Sequence, residues 1–109
     1  MILDMTQQLA GLDGKGMTDG ETPVILRTVC VNALMATLPK DNEKTGDQKL
    51  ALFSIAQKIT QEDTPDLDVK DLALIKERVG MAFGPAIVGP TFPMLNGTPA
   101  SPKLADKAK

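Results

Sequence analysis

A chain of 109 residues, 42% hydrophobic and 24% charged, has the size and balance of one globular domain. Its formal charge is −2; residues 97–109 carry three lysines against Asp106, which leaves −4 on residues 1–96 and argues against a duplex-DNA binder, since that affinity needs clustered lysine and arginine. With no histidine, one cysteine and three phenylalanines, the composition excludes an internal disulfide framework and any histidine-based catalytic site, and it calls for an aliphatic core.

In chain order, residues 2–12 alternate loosely and run into Asp13-Gly14, a favoured turn dipeptide, with Asp19-Gly20 close behind. A small N-terminal hairpin or extended arm is expected over residues 1–24, with Met5 to Leu12 on one side and a short return after Lys15. A two-stranded ribbon is marginal alone, so it must lie on the helices or pair with another segment. Next comes the nearly uncharged run Val24 to Leu38. Val24 to Leu26 are extended in character, and the spacing of Val31, Leu34, Met35 and Leu38 predicts the most buried helix of the fold, from about Arg27 until Pro39 ends it.

A short charged connection, Pro39 to Lys44, leads to a second helix. Thr45 with Gln48 is a capping-box pattern, and Leu50, Leu52, Phe53, Ile55, Ala56 and Ile59 give a broad apolar face that ends near Thr60. After an acidic loop, Gln61 to Leu67, a third helix is predicted from Asp68 to Phe83. Asp68 is placed to cap it; Leu72, Ile75, Val79 and Phe83 form its apolar stripe, while Lys70, Lys76, Glu77 and Arg78 fall mainly elsewhere on the wheel. Gly84-Pro85 ends it. A short helix from Pro85 to Val88 follows, then irregular chain anchored by Phe92, Met94 and Leu95, because Pro90 and Pro93 interrupt the run. The fold expected is mainly α: a three-to-four-helix bundle in one domain, residues 1–96 (helices in 25–96), with a flexible basic tail at 97–109.

The residues with chemical potential do not form a site. Glu62, Asp63, Asp66, Asp68 and Asp71 lack the alternate-ligand spacing, the sixth-position glycine and the twelfth-position glutamate of a calcium loop, so neither a metal nor a cofactor is expected. Lys15 is followed by Gly16 and Met17, not by the Ser or Thr of a phosphate-binding loop. Cys30 lies in an apolar run and reads as a small core residue. A helix-turn-helix use of residues 68–83 would have only Lys70, Lys76 and Arg78 to offer phosphates. No apolar run reaches the length of a membrane span, and the first residues lack a signal-peptide pattern, so a reducing cytoplasm is the expected setting.

Four segments taken together, LDGKG at 12–16, VCVNALMATL at 29–38, QKLALFSIAQKI at 48–59 and DLALIKERVGMAFGPAIVG at 71–89, resemble small helical proteins encoded by tailed bacteriophages and prophages. The resemblance implies action in a bacterial host and carries no catalytic motif. The function expected is a non-enzymatic module that binds a host or phage protein. The surfaces expected to serve it are the acidic Glu62, Asp63 and Asp66 and the apolar Phe92, Met94 and Leu95. A particle-assembly component or assembly chaperone, forming a homo-oligomer, is the alternative, and a weak nucleic-acid-binding helical protein is third. Protein is thus the partner expected, and neither nucleic acid nor membrane is.

Overall fold

The structure is a computed structural model and describes residues 1–97; the tail expected over 97–109 falls outside them except for Gly97. The protein is mainly helical. A two-stranded antiparallel hairpin, β1 (Thr18–Asp19) and β2 (Thr22–Pro23), precedes α1 (Leu26–Met35), a 3₁₀ turn (Pro39–Glu43), α2 (Gly46–Gln61), α3 (Val69–Ala82) and α4 (Pro85–Leu95). α1 is central and packs on both α2 and α3, while α4 packs on α3. The core is aliphatic, built on Leu26, Cys30, Leu34, Ile59, Ile75 and Val79.

Both Asp-Gly dipeptides make turns, but of different kinds. Thr18 pairs with Pro23 and Asp19 with Thr22, so Gly20 is the first residue of a two-residue loop, and its φ of +66° is what a tight hairpin demands there. At Asp13-Gly14 the chain makes a looser turn, in which the Asp13 carboxylate accepts the Lys15 N–H and a single bridge, Ala10 to Gly16, holds the ends. Leu9, fully buried, lies between the two returning segments: its N–H donates to the Val24 carbonyl at 2.9 Å and its carbonyl accepts from the Met17 N–H at 2.7 Å.

The arm does more than lie on the helices. α1 has no side-chain N-cap, and the arm supplies the missing acceptors, with the Leu26 N–H bonded to the Gln7 carbonyl at 2.8 Å and the Arg27 N–H to that of Met5 at 2.9 Å. Its first residues run antiparallel to residues 63–67: the Leu3 N–H donates to the Pro65 carbonyl, the Met5 N–H to that of Asp63, and the Leu67 N–H to that of Met1. This leaves Leu3 and Met5 in the core and seals the ends of α2 and α3 together.

Two helix boundaries differ from expectation. α1 stops at Met35, and Pro39, instead of ending it, opens the 3₁₀ turn, a position where the missing N–H costs nothing. The early stop follows from what takes the last carbonyls of α1, described below. α4 continues to Leu95 with Pro90 and Pro93 inside it, where irregular chain was expected. By the i to i−4 rule the carbonyls that lose donors are those of Ala86 and Gly89, both exposed residues that water can serve. On the other side Thr91, Met94 and Leu95 are buried, and this packing offsets the proline penalty of roughly 3 kcal/mol each.

α2 and α3 begin as the sequence specifies. Thr45 Oγ1 accepts the Gln48 N–H at 3.2 Å while Gln48 Oε1 accepts the Thr45 N–H at 2.8 Å, and Asp68 Oδ1 accepts the Asp71 N–H at 2.8 Å. Replacing Thr45 with Ala should therefore lower stability by about 1 kcal/mol, and Thr45→Ser should recover most of it, as read from chemical-denaturation midpoints. Equal midpoints for the wild type and Thr45→Ala would show that the box does not hold the start of α2.

Candidate functional site

The most heavily bonded polar group of the fold is a residue that periodicity placed on the outside. Arg78 of α3 is fully buried. Its Nε donates to the Ala33 carbonyl at 3.1 Å and its Nη2 to that of Ala36 at 2.7 Å, so it takes the terminal acceptors of α1 in place of a further helical turn. The same guanidinium makes a two-pronged pair with Asp41 of the 3₁₀ turn, through Nη1 to Oδ1 and through Nη2 to Oδ2 at 3.2 Å. Asp41 also accepts the Leu38 N–H at 2.8 Å. The Arg78 bond, followed by that from Leu38, pulls the Asp41 carboxyl down to about 2.

Above this pair lies a shallow depression of about 260 Å³ between the end of α1 and the start of α2, lined on its apolar side by Leu34, Met35 and Leu52 and on its polar side by Asn42 and Lys49. Beside it α2 exposes two large side chains. Leu50 and Phe53, expected on the inner face, are 59% and 51% exposed, because the buried stripe is the narrower set Leu52, Ile55, Ala56 and Ile59. Met35, 44% exposed, lines the depression with Lys49, while Leu50 and Phe53 stand on the outer side of α2.

The residues expected to bind a partner divide between an exposed acidic loop that is tethered within the fold and apolar residues turned inward. Glu62 ends α2, and its carbonyl accepts from Arg27 Nη2 at 3.2 Å. Asp63 pairs with the same Arg27, whose Nε also caps the Ile59 carbonyl at 3.0 Å. Asp66 accepts the Met1 amino group at 2.9 Å, and this bond lowers its pKa. The acidic loop thus tethers the arm and α1, and the Asp63 and Asp66 side chains remain 73% exposed. Met94 and Leu95 are core residues and Phe92 is half-buried, its ring tip near Gly80 of α3, so these three do not form a surface. The extension of α4 through its prolines is what turned them inward.

Cys30 is buried at the centre of α1, and burial pushes its thiol up to about 12, which removes the thiolate that nucleophilic chemistry needs. Among the described residues no three acidic, cysteine or histidine side chains converge as a metal set, and no helix is long and apolar enough to cross a membrane. Of the cations proposed for a recognition helix, Arg78 is internal and Lys76 bonds the Asn96 side chain. Comparison with protein-family models, curated proteins and solved structures finds no match to the chain.

Sequence reasoning missed Arg78 and Asp41 and assigned Leu50 and Phe53 to the wrong side. One signal was present for the first: Arg78 directly precedes Val79 and stands three residues after Ile75, a neighbour of the apolar stripe and not its opposite. The pair also makes stability depend on pH with a definite sign. Because the folded carboxyl lies at about 2 against an ordinary 3.8, its contribution is complete above pH 3.8 and is lost as pH falls from there to about 2. Asp41→Asn should reduce the fall of the denaturation midpoint across that window, the remainder belonging to Asp4 and Asp66, and Arg78→Ala should cost about 3 kcal/mol at neutral pH, since it removes a buried charge from its partner and orphans the end of α1. A wild-type midpoint no more acid-sensitive than that of Asp41→Asn would contradict the pairing.

Proposed function

We propose that this protein is a non-enzymatic, phage-related interaction module that binds another protein in the bacterial cytoplasm through the exposed side of α2. The observation that carries the reading is the exposure of Leu50 and Phe53, neighbours three residues apart on α2, on the outside of an otherwise well-filled fold whose α1–α2 depression is lined by Met35 and Lys49. Exposed apolar side chains that gather in one place, bordered by polar groups, are the usual mark of a protein contact. Support comes also from the polar residues: Arg27, Arg78, Asp41 and Asp63 are used to close helix ends against one another.

The acidic loop serves this reading only indirectly, by fixing the arm, and Phe92, Met94 and Leu95 serve it as core. A particle-assembly role is the second reading. It is favoured by a second group of exposed apolar side chains, at the start of α3, because a subunit that joins others needs more than one contact face. A cross-linked pull-down from lysate of an infected bacterium tests the first reading. The wild type should recover a protein in stoichiometric amount, and Leu50→Glu/Phe53→Glu, which alters only exposed positions, should lose it. Equal recovery by both proteins would remove that side of α2 from the account.

A further inference from the structure

α4 and the N-terminal arm are fastened to the rest of the protein in opposite ways. The arm is tied in by backbone hydrogen bonds: Leu3 to Pro65, Met5 to Asp63, and the Leu26 and Arg27 N–H groups back to Gln7 and Met5. The backbone hydrogen bonds described for residues 85–97 all stay within residues 84–97. α4 contains no charged residue, so no ion pair can hold it, and the side-chain bond that reaches its end is the one from Lys76 to Asn96. What keeps it on α3 is burial of Thr91, Met94 and Leu95, helped by the half-buried Ile87, Val88 and Phe92.

Three features inside that contact oppose it. Pro90 and Pro93 each take a donor out of the helical ladder. The Thr91 side chain is fully buried, yet its Oγ1 has no hydrogen-bond partner, so its desolvation is uncompensated. The helix also starts at Gly84 without a side-chain N-cap. All three costs are confined to α4 and disappear when it leaves α3 and unwinds, because water then serves the hydroxyl and the prolines fit an extended chain. The joint is equally local. Phe83 and Gly84 are extended, and a Cβ on Gly84 would meet nothing within 4 Å, so the backbone can swing there without collision.

We infer that α4 is a hinged flap, which opens from α3 at Phe83-Gly84 as one cooperative unit while α1, α2, α3 and the arm keep their fold. The remainder can stand without it, since the Arg78 cluster and the backbone bonds of the arm use no residue of α4. Opening brings the apolar surface of Met94 and Leu95 into water, so the open form is a minor state in equilibrium with the closed one. It uncovers an apolar strip, Leu95 and Met94 with the side of α3 beneath them, that the closed protein hides. This flap is independent of the binding role given to the exposed side of α2.

Native-state hydrogen exchange, followed residue by residue by NMR in urea below the unfolding midpoint, tests the flap. In the wild type the Thr91, Phe92, Met94 and Leu95 amides should converge on one opening, about a hundredfold less protected than the core amides of α1 and with a shallower urea dependence. Ile55→Val, in the core between α1 and α2, should lower α1 protection about fivefold and leave α4 protection unchanged. Thr91→Val, which keeps the shape and removes the orphaned hydroxyl, should raise α4 protection about fivefold. Convergence of the α4 and α1 amides on one opening with one urea slope overturns the inference. So does a fall of α4 protection in Ile55→Val, an unchanged α4 protection in Thr91→Val, or unequal, urea-insensitive rates along α4, which are fraying and not a hinge.

Discussion

The fold depends on a guanidinium placed where a helix runs out of donors. Every α-helix leaves its last carbonyls without intrahelical partners, and when that end is inside the protein, water is not at hand to serve them. Arg78 reaches across from α3 and takes the carbonyls of Ala33, Leu34 and Ala36, while Asp41 balances its charge from the 3₁₀ turn that follows. Three segments distant in sequence are thereby fixed at one point. A buried ion pair is weak evidence for stability compared with an apolar filling, but once built it makes the removal of either partner costly, and it specifies where α1 must stop.

The same solution recurs on a smaller scale. Arg27 of α1 closes the end of α2 through the carbonyls of Ile59 and Glu62, and Lys76 of α3 bonds Asn96, the residue that ends α4. Three cations, Arg27, Lys76 and Arg78, thus stand at helix C-termini, where the backbone's partial negative charge favours them. At the other pole the arm does the corresponding work with carbonyls, accepting the first N–H groups of α1. On the outside of the molecule the large exposed apolar side chains include Leu50 and Phe53 of α2 and Val69 at the start of α3.

Much of the architecture was legible because it is local. Thr45 and Asp68 are caps whose partners lie three residues away, Gly20 is a turn residue with a two-residue loop, and the stripe Leu72, Ile75, Val79 is a wheel pattern. The failures are all long-range. Arg78 and Asp41 are 37 residues apart, so nothing in the neighbourhood of either announces the other. Leu50 and Phe53 belong to an apolar arc too wide for one helix to bury against α1 alone, and spacing could not say which edge of that arc would stay outside. Pro90 and Pro93 were correct as local breakers, yet the burial of Thr91, Met94 and Leu95 outweighed them. That the acidic loop also tethers the arm was not legible, because the arm lies more than sixty residues away in sequence.

Hydrogen exchange at the Arg78 Nε–H, followed by nitrogen-resolved NMR, tests the central feature most directly, since that proton is donated to the Ala33 carbonyl in a fully buried setting. The structure predicts exchange as slow as that of the most protected amides of α1, released only by global unfolding. Exchange at the rate of a solvent-exposed arginine would contradict it, and with it the account of how α1, α3 and the 3₁₀ turn are held together.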